Sequence, residues 1–314
     1  MRVSYHPGYV VELPEGHPFP MRKFSELARI VVDDGIVAPH DVVPPEEAAW
    51  ETLALVHTER YLTALRDGTL APGEIRRLGL PWSPALVRRS RLATQGSINA
   101  SLFALEDGIG GNLAGGTHHA HPDGGEGFCV INDVAVAVRE LQRRGAIRRA
   151  LLIDLDVHHG NGNAGYFAGD PDVFTFSMHG ARNFPLKKPP SSLDVPLDDH
   201  VGDVEYLALL ERWLPVAIER ARPDLVYYLA GVDVVIGDRY GRLALTRDGL
   251  RRRDRLVAET VRAAGLPMAL VLAGGYAKTP ELTAELHSEA FRAAVAVTRA
   301  RGADVRACEA ARPR

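Results

Sequence analysis

Residues 150–160 read ALLIDLDVHHG, an apolar run broken at a spacing of two by Asp154, Asp156 and His158. Short unbroken apolar runs fit a strand covered on both faces, and the alternation of side chains along a strand predicts that the three polar groups share one side. Bare carboxylates buried in such a sheet are costly unless paired or bound to a metal. Open parallel sheets bind ligands beyond the carboxyl ends of their strands, so this strand end is expected to carry a site.

Working outward, the chain alternates strands with amphipathic helices. Strands are expected at 112–114, 150–157, 173–178, 225–230 and 268–273. Helices are expected at 23–34, 46–65, 83–106, 132–144, 204–222, 247–264 and 280–300. Strands separated by helices predict an α/β fold with a mainly parallel sheet flanked by helices. The Pro-rich stretch 184–196 is too short for a linker, so one domain over 1–314 is expected, with about 301–314 frayed.

Composition fits that class. The 314 residues are 46% hydrophobic and 25% charged, and Lys+Arg at 37 against Asp+Glu at 40 leave a net charge of −3. That balance argues against a nucleic-acid partner, and the run Arg251-Arg252-Arg253-Asp254-Arg255 reads as a solvated helix face. No apolar run is long enough to span a membrane, and the opening has no signal-peptide pattern, so a cytoplasmic, membrane-free protein is expected. Cys129 and Cys308 alone cannot build a disulfide framework or a cysteine metal knuckle, leaving histidine and carboxylate as metal ligands.

Three further segments carry chemistry. LVYYLAGVDVVIGD (225–238) ends a strand at Asp233, with Asp238 beyond; Asp156, His158 and Asp233 form a two-carboxylate, one-imidazole set that suits Zn²⁺ and also accommodates Fe²⁺ or Mn²⁺. GGTHHAHP (115–122) places His118 and His119 side by side, as proton shuttling near neutral pH requires. MALVLAGGY (268–276) delivers Tyr276 after Gly274 and Gly275, where a phenol can donate to an oxyanion. Converging on one point, these groups make a metal-assisted hydrolase.

GGTHHA, GEGFCVINDVAVA, IDLDVHHGNGNA, FSMHG, LAGVDVVIGD and LAGGY occur in the order found in histone deacetylases and their bacterial relatives. LPEGHPFPMRKF, LPWSPALVRRS and HGARNFPLKKPPSSLDVPL resemble the class IV branch. The resemblance spans about 5–295 and implies the three-layer arginase-deacetylase fold, with a sheet of about eight strands and Zn²⁺ on Asp156, His158 and Asp233. It implies His119 as general base, His118 as electrostatic support oriented by Asp154, and Tyr276 as oxyanion donor. Gly127, Phe128 and Phe184, with Gly274 and Gly275, match the tunnel that takes an acyl-lysine side chain. Asp154, Ser177 and the carbonyls of Asp156, His158 and Met178 match a structural K⁺ or Na⁺ site.

Two departures from the family pattern stand out. Asn161 occupies the place where some relatives put an aspartate behind the second histidine, which leaves His119 without an anionic partner and makes its imidazolium less favoured. The rim carboxylate of class I enzymes has no counterpart around 67–81, and His17 either lines the mouth or stabilises a turn. The expected substrate is an acylated lysine peptide or protein, with an acylated small amine as the alternative and acyl chains longer than acetyl permitted by the class IV resemblance. Arginase-like chemistry would need a second complete metal set, and an idle acyl-lysine binding module would not need Tyr276. Oligomeric state, native metal and regulation are not written in the sequence.

Overall fold

In a computed structural model that describes residues 1–310, with side chains up to 298, eight parallel strands form a single sheet. The first half of the chain supplies β1 (Val3–Ser4), α1 (Lys23–Asp33), β2 (Val42–Val43), α2 (Trp50–Leu53), α3 (Glu59–Asp67), α4 (Pro72–Leu78), α5 (Pro84–Asp107), β3 (Ile109–Asn112) and α6 (Asp133–Arg143). Then follow β4 (Ala150–Asp154), α7 (Asn161–Tyr166), β5 (Val173–Gly180), β6 (Leu193–Leu197), α8 (Asp203–Ala221), β7 (Leu225–Leu229), α9 (Arg247–Ala263), β8 (Met268–Val271) and α10 (Pro280–Ala310). The order β2-β1-β3-β8-β7-β4-β5-β6 places β4 and β7 side by side near the centre, in register from Ala150↔Leu225 to Asp154↔Leu229.

Strand alternation divides the core in two. Leu151 and Ile153 with Val226 and Tyr228 face a layer containing α1, α8, α9 and α10, whereas Ala150 and Leu152 with Leu225, Tyr227 and Leu229 face α3, α5 and α6. Both faces are therefore dry, as a parallel sheet requires. Among the described residues no helix is long and apolar enough to cross a membrane.

Several expected boundaries moved, for local reasons. The helix expected at 46–65 is α2 and α3, because Thr58 caps a fresh start by accepting the Tyr61 N–H (3.3 Å). The strand expected at 112–114 is β3, two glycines earlier in the chain than its apolar residues indicated. A Cβ on Gly110 would lie 2.2 Å from the Ala100 carbonyl, so the same glycine that weakens the strand signal lets α5 lie against the sheet. The last helix continues to Ala310; residues 311–314, where part of the expected fraying falls, lie outside the described residues.

The reading of 251–255 as a solvated face is corrected. Arg253 and Asp254 are fully buried, their side chains 2.7 Å apart. Arg253 also donates to the carbonyls of Gly231 (2.6 Å) and Leu155 (3.2 Å), the turns that leave β7 and β4. It thus ties α9 to both chain segments that build the site. Replacing Arg253 with Ala would strand Asp254 as an unpaired buried acid, and chemical denaturation is expected to show a loss of about 3–5 kcal/mol; a change below about 1 kcal/mol would contradict this role.

Candidate active site

The turn after β4 is built by its own carboxylates. β4 ends at Asp154, so Asp156 and His158 lie beyond the strand and the expected pleat does not align them. Asp154 accepts the Asp156 N–H (3.2 Å), and Asp156 accepts the His158 N–H (2.8 Å). Two successive side-chain turns therefore produce the spacing of two. Across the sheet, Asp233 follows β7 and accepts the Val157 N–H (2.9 Å), while Asp156 also accepts the Gly274 N–H (2.6 Å) from the loop after β8. Gly274 must lack a side chain, since its Cβ would sit 2.1 Å from Asp233 Oδ2.

These contacts bring ligand atoms of Asp156, His158 and Asp233 within 4.8 Å of one another, all buried. His158 Nδ1 lies 3.0 Å from Asp156 Oδ1 and 3.2 Å from Asp233 Oδ2, and the latter oxygen accepts no hydrogen bond. Burial and the neighbouring Asp156 push the Asp233 carboxyl up to about 7. An orphaned buried oxygen beside a second carboxylate and an imidazole fits a divalent cation, which would keep both acids ionised. A second His/His/Asp group, His159, His179 and Asp194, lies nearby. There the His179 Nδ1 is engaged by Ser177 (2.9 Å), and His159 Nε2 lies 3.2 Å from the Ser191 hydroxyl.

The histidine loop follows β3. Asp133, at the start of α6, accepts the N–H groups of Gly116 (3.0 Å) and Thr117 (2.7 Å), which fixes the chain just before His118. The two imidazoles then part in chemistry. Burial alone would lower the pKa of His118, but Asp154, 2.7 Å from its Nδ1, and Asp156 outweigh it and push His118 up to about 9. Burial lowers His119 well below its ordinary value, reinforced by His118 and His158. His119 Nδ1 sits 2.6 Å from Asn161 Oδ1, an acceptor, so that nitrogen carries the proton and Nε2 is left as the base.

The aromatic residues form the wall. Phe184, partly exposed, stands edge-on to His119 with ring centres 5.0 Å apart, and Phe128 packs 5.9 Å from Tyr276. With His158 and Tyr240 they surround an open cavity of about 380 Å³. Beneath it a space of about 40 Å³, bordered by Gly274 and Asp156, reaches the buried cations Lys23 and Arg89. Gly127 lines both cavities, whereas Gly275 lines neither; a Cβ on it would meet Val232 and His287 instead. His17 serves the turn, accepting the Phe19 N–H (3.2 Å) and donating to the Gly79 carbonyl (3.0 Å), and its ring backs Phe128 at 6.1 Å. Asp154 and Ser177 are register partners across β4 and β5, next to the buried Met178.

Three contributors escaped the sequence reading, and a fourth, Asp238, was noted there only for its place after Asp233. Asp238 is a brace rather than a ligand: it accepts the N–H groups of Tyr276 (2.7 Å), Tyr240 (2.8 Å) and Gly241 (3.1 Å), and so positions two aromatic walls at once. Lys23 lies under the Tyr276 ring at 5.5 Å, and burial lowers its pKa to about 8. Tyr240 stands edge-on to Tyr276 at 5.0 Å. Glu126 accepts a hydrogen bond from Asn161 Nδ2 (2.8 Å). Asp238 alone had a signal, its place five residues after Asp233; the other three are isolated residues outside any polar cluster.

Cation binding at the Asp156 cluster needs Asp233 ionised and His158, whose pKa burial lowers but the two carboxylates raise to about 10, freed of its extra proton, so affinity should fall as pH drops. Zn²⁺ titrations are expected to show tightening from about pH 5.5 to about pH 8, and Asp233→Asn should weaken binding at least about tenfold. A pH-independent affinity would refute that coupling.

Comparison with known proteins agrees with this geometry. The pattern of the Histone deacetylase domain matches residues 17–293. An uncharacterized protein of Picosynechococcus sp. is 49% identical over 93% of this chain and 97% of its own length. Histone deacetylase 2 of Arabidopsis thaliana is 30% identical over 84% of this chain and 70% of its own, and Acetoin utilization protein AcuC of Staphylococcus aureus (strain MSSA476) is 26% identical over 74% and 66%. The crystal structure of an HDA15 HD domain, at 22% identity, superposes over 95% of this chain and 90% of its own with a TM-score of 0.76, which supports the arginase-deacetylase fold. A sheet of eight parallel strands with its polar cluster beyond β4 and β7, matched by the domain pattern over most of its length, makes this chain a member of the histone deacetylase family.

Proposed function

We propose that the chain hydrolyses the amide of an ε-acetylated lysine in a peptide or protein. The observation that carries this is the placement of His119, with Nδ1 bound to Asn161, and of Tyr276 around the buried Asp156, His158 and Asp233, at the inner end of an aromatic-walled opening. A divalent ion on those three ligands, Zn²⁺ by preference with Fe²⁺ or Mn²⁺ compatible, would polarise the acyl carbonyl and acidify a water molecule.

The protein's own groups then have distinct tasks. His119 Nε2 takes the proton of the attacking water and returns it to the amine nitrogen as the C–N bond breaks. His118, held protonated by Asp154, supplies positive charge beside that base without competing for the proton. The Tyr276 hydroxyl, kept protonated by burial and the nearby Asp156 and Asp233, donates to the carbonyl oxygen as negative charge grows on it. Phe128 and Phe184 match the two sides of a methylene stem, so the stem of an acylated lysine would run between them with its amide at the inner end.

The inner space favours acetyl over long acyl chains. About 40 Å³ accommodates a group of a few heavy atoms but not a long alkyl chain. Its floor holds Lys23 and Arg89, whose charges suit a small carboxylate better than an alkyl chain. We further propose that K⁺ or Na⁺ is bound by Asp154, Ser177 and the carbonyls of Asp156, His158 and Met178, that 1–314 acts as one catalytic domain, and that it works in the cytoplasm.

Initial rates on acetyl-lysine, long-chain acyl-lysine and acetylated polyamine substrates test the assignment. Acetyl-lysine should turn over fastest with zinc-loaded enzyme, and Tyr276→Phe should lower kcat about a hundredfold with metal content unchanged. A dominant rate on the long-chain substrate would overturn the acyl-size argument, and no turnover on any of them would overturn the hydrolase.

A further inference from the structure

The aspartate missing behind His119 has a substitute one hydrogen bond farther out. Asn161 Oδ1 takes the His119 Nδ1–H at 2.6 Å, and its amide Nδ2 donates at 2.8 Å to Glu126 Oε2. The amide oxygen thus faces the base, while the amide nitrogen faces the acid at the shorter distance and His121 Nε2 at 3.2 Å. The expectation that His119 lacks an anionic partner therefore needs amending: the carboxylate is present, relayed through a neutral amide. Glu126 is held for this purpose by the antiparallel bridge Glu126↔Cys129, with hydrogen bonds of 3.1 and 2.8 Å between the two backbones, and by His121 Nε2, 3.1 Å from the same carboxylate oxygen. It is about one-fifth exposed and lies on the rim of the opening.

We propose that Glu126 is a positioning residue for the general base, acting through Asn161, an inference that rests on the deacetylase reading above. When His119 Nε2 accepts the proton of water, positive charge appears on its ring. The Asn161 carbonyl, polarised because its N–H donates to Glu126, stabilises that charge more than an unpolarised amide does. No proton travels along the chain, and Nδ1 keeps its hydrogen. The arrangement also locks the tautomer, since an amide with its donor already engaged presents only oxygen to Nδ1.

Exchanging the charge between the two positions tests this. Glu126→Gln should lower kcat about tenfold with KM little changed, because the hydrogen-bonding shape survives while the charge is lost. Asn161→Asp alone sets two carboxylates against each other and should also lower kcat. The double variant Asn161→Asp/Glu126→Gln restores one carboxylate, now directly on His119 and supported by a glutamine amide, and should recover most of the lost kcat. Thermal unfolding of all four proteins checks that each folds. An activity-independent readout is the ring N–H proton resonance of ¹⁵N-labelled His119 in the zinc-loaded protein. It should lie at low field in the wild type, move upfield in Glu126→Gln and return in the double variant.

If the wild type turns over acetyl-lysine and Glu126→Gln raises KM alone, Glu126 anchors substrate at the rim and the inference falls. Additive losses in the double variant would overturn it as well. If no substrate turns over, the deacetylase reading fails by itself, while the resonance series still decides whether Glu126 polarises His119.

Discussion

Two buried carboxylates that must stay close together are the constraint around which this molecule is arranged. Asp156 and Asp233 are both inaccessible to solvent and lie on neighbouring segments beyond β4 and β7. Like charges so placed repel in a medium that screens them poorly, and burial together with that repulsion raises the Asp233 carboxyl. The surrounding backbone answers with N–H groups from Val157, His158 and Gly274, each aimed at one carboxylate oxygen. Arg253 acts one layer further out, holding the carbonyls of Leu155 and Gly231 so that the turns carrying these acids cannot drift apart. The remaining oxygen of Asp233, which has no hydrogen-bond donor, is the position that a cation would fill.

The same electrostatics divides the labour of the paired histidines. Adjacent in sequence, with rings 4.1 Å apart, they cannot both be protonated without cost. Asp154 decides which one is charged, because it touches His118 directly while His119 faces a neutral amide. A charged partner beside an uncharged base is the useful combination: the first stabilises negative charge developing on substrate, the second keeps a lone pair free.

Fold and site differ in how far they could be read from residues alone. β4, β5, β7 and β8 announce themselves as apolar runs, and α1, α5, α6, α8 and α9 as periodic ones, because their sequences serve the core and little else. The edge strands β2 and β6, and β1 beside β2, were not legible: β1 and β2 are only two residues long, and β6 carries Asp194 and Pro196, which a central strand would not tolerate. Asp156, His158 and Asp233 were legible because carboxylates at the end of an apolar run contradict burial unless something binds there. Their alignment was not, since it comes from side-chain turns after the strand rather than from the pleat. Arg253 shows the opposite failure: a single buried arginine within an arginine-rich stretch looks like its solvated neighbours, and only the packing of α9 reveals which one turns inward.

Lys23 illustrates why such isolated residues matter to the chemistry. A buried lysine without a carboxylate partner is costly, and here burial has brought its pKa to about 8, close enough to neutrality that the charged form persists. What holds it is a set of weak contacts: carbonyls of Ala273 and Gly275 at 3.5 and 3.4 Å, and the faces of Phe19, Phe24 and Tyr276 at 5.5 Å. These contacts leave the ammonium underneath the ring of Tyr276, the proposed oxyanion donor. The positive field of Lys23 there opposes that of Asp156 and Asp233, which by themselves make the Tyr276 phenol a poorer donor. A lysine in this position carries its burial cost beside the proposed oxyanion donor, where its positive charge would favour a phenol that gives its hydrogen bond more readily.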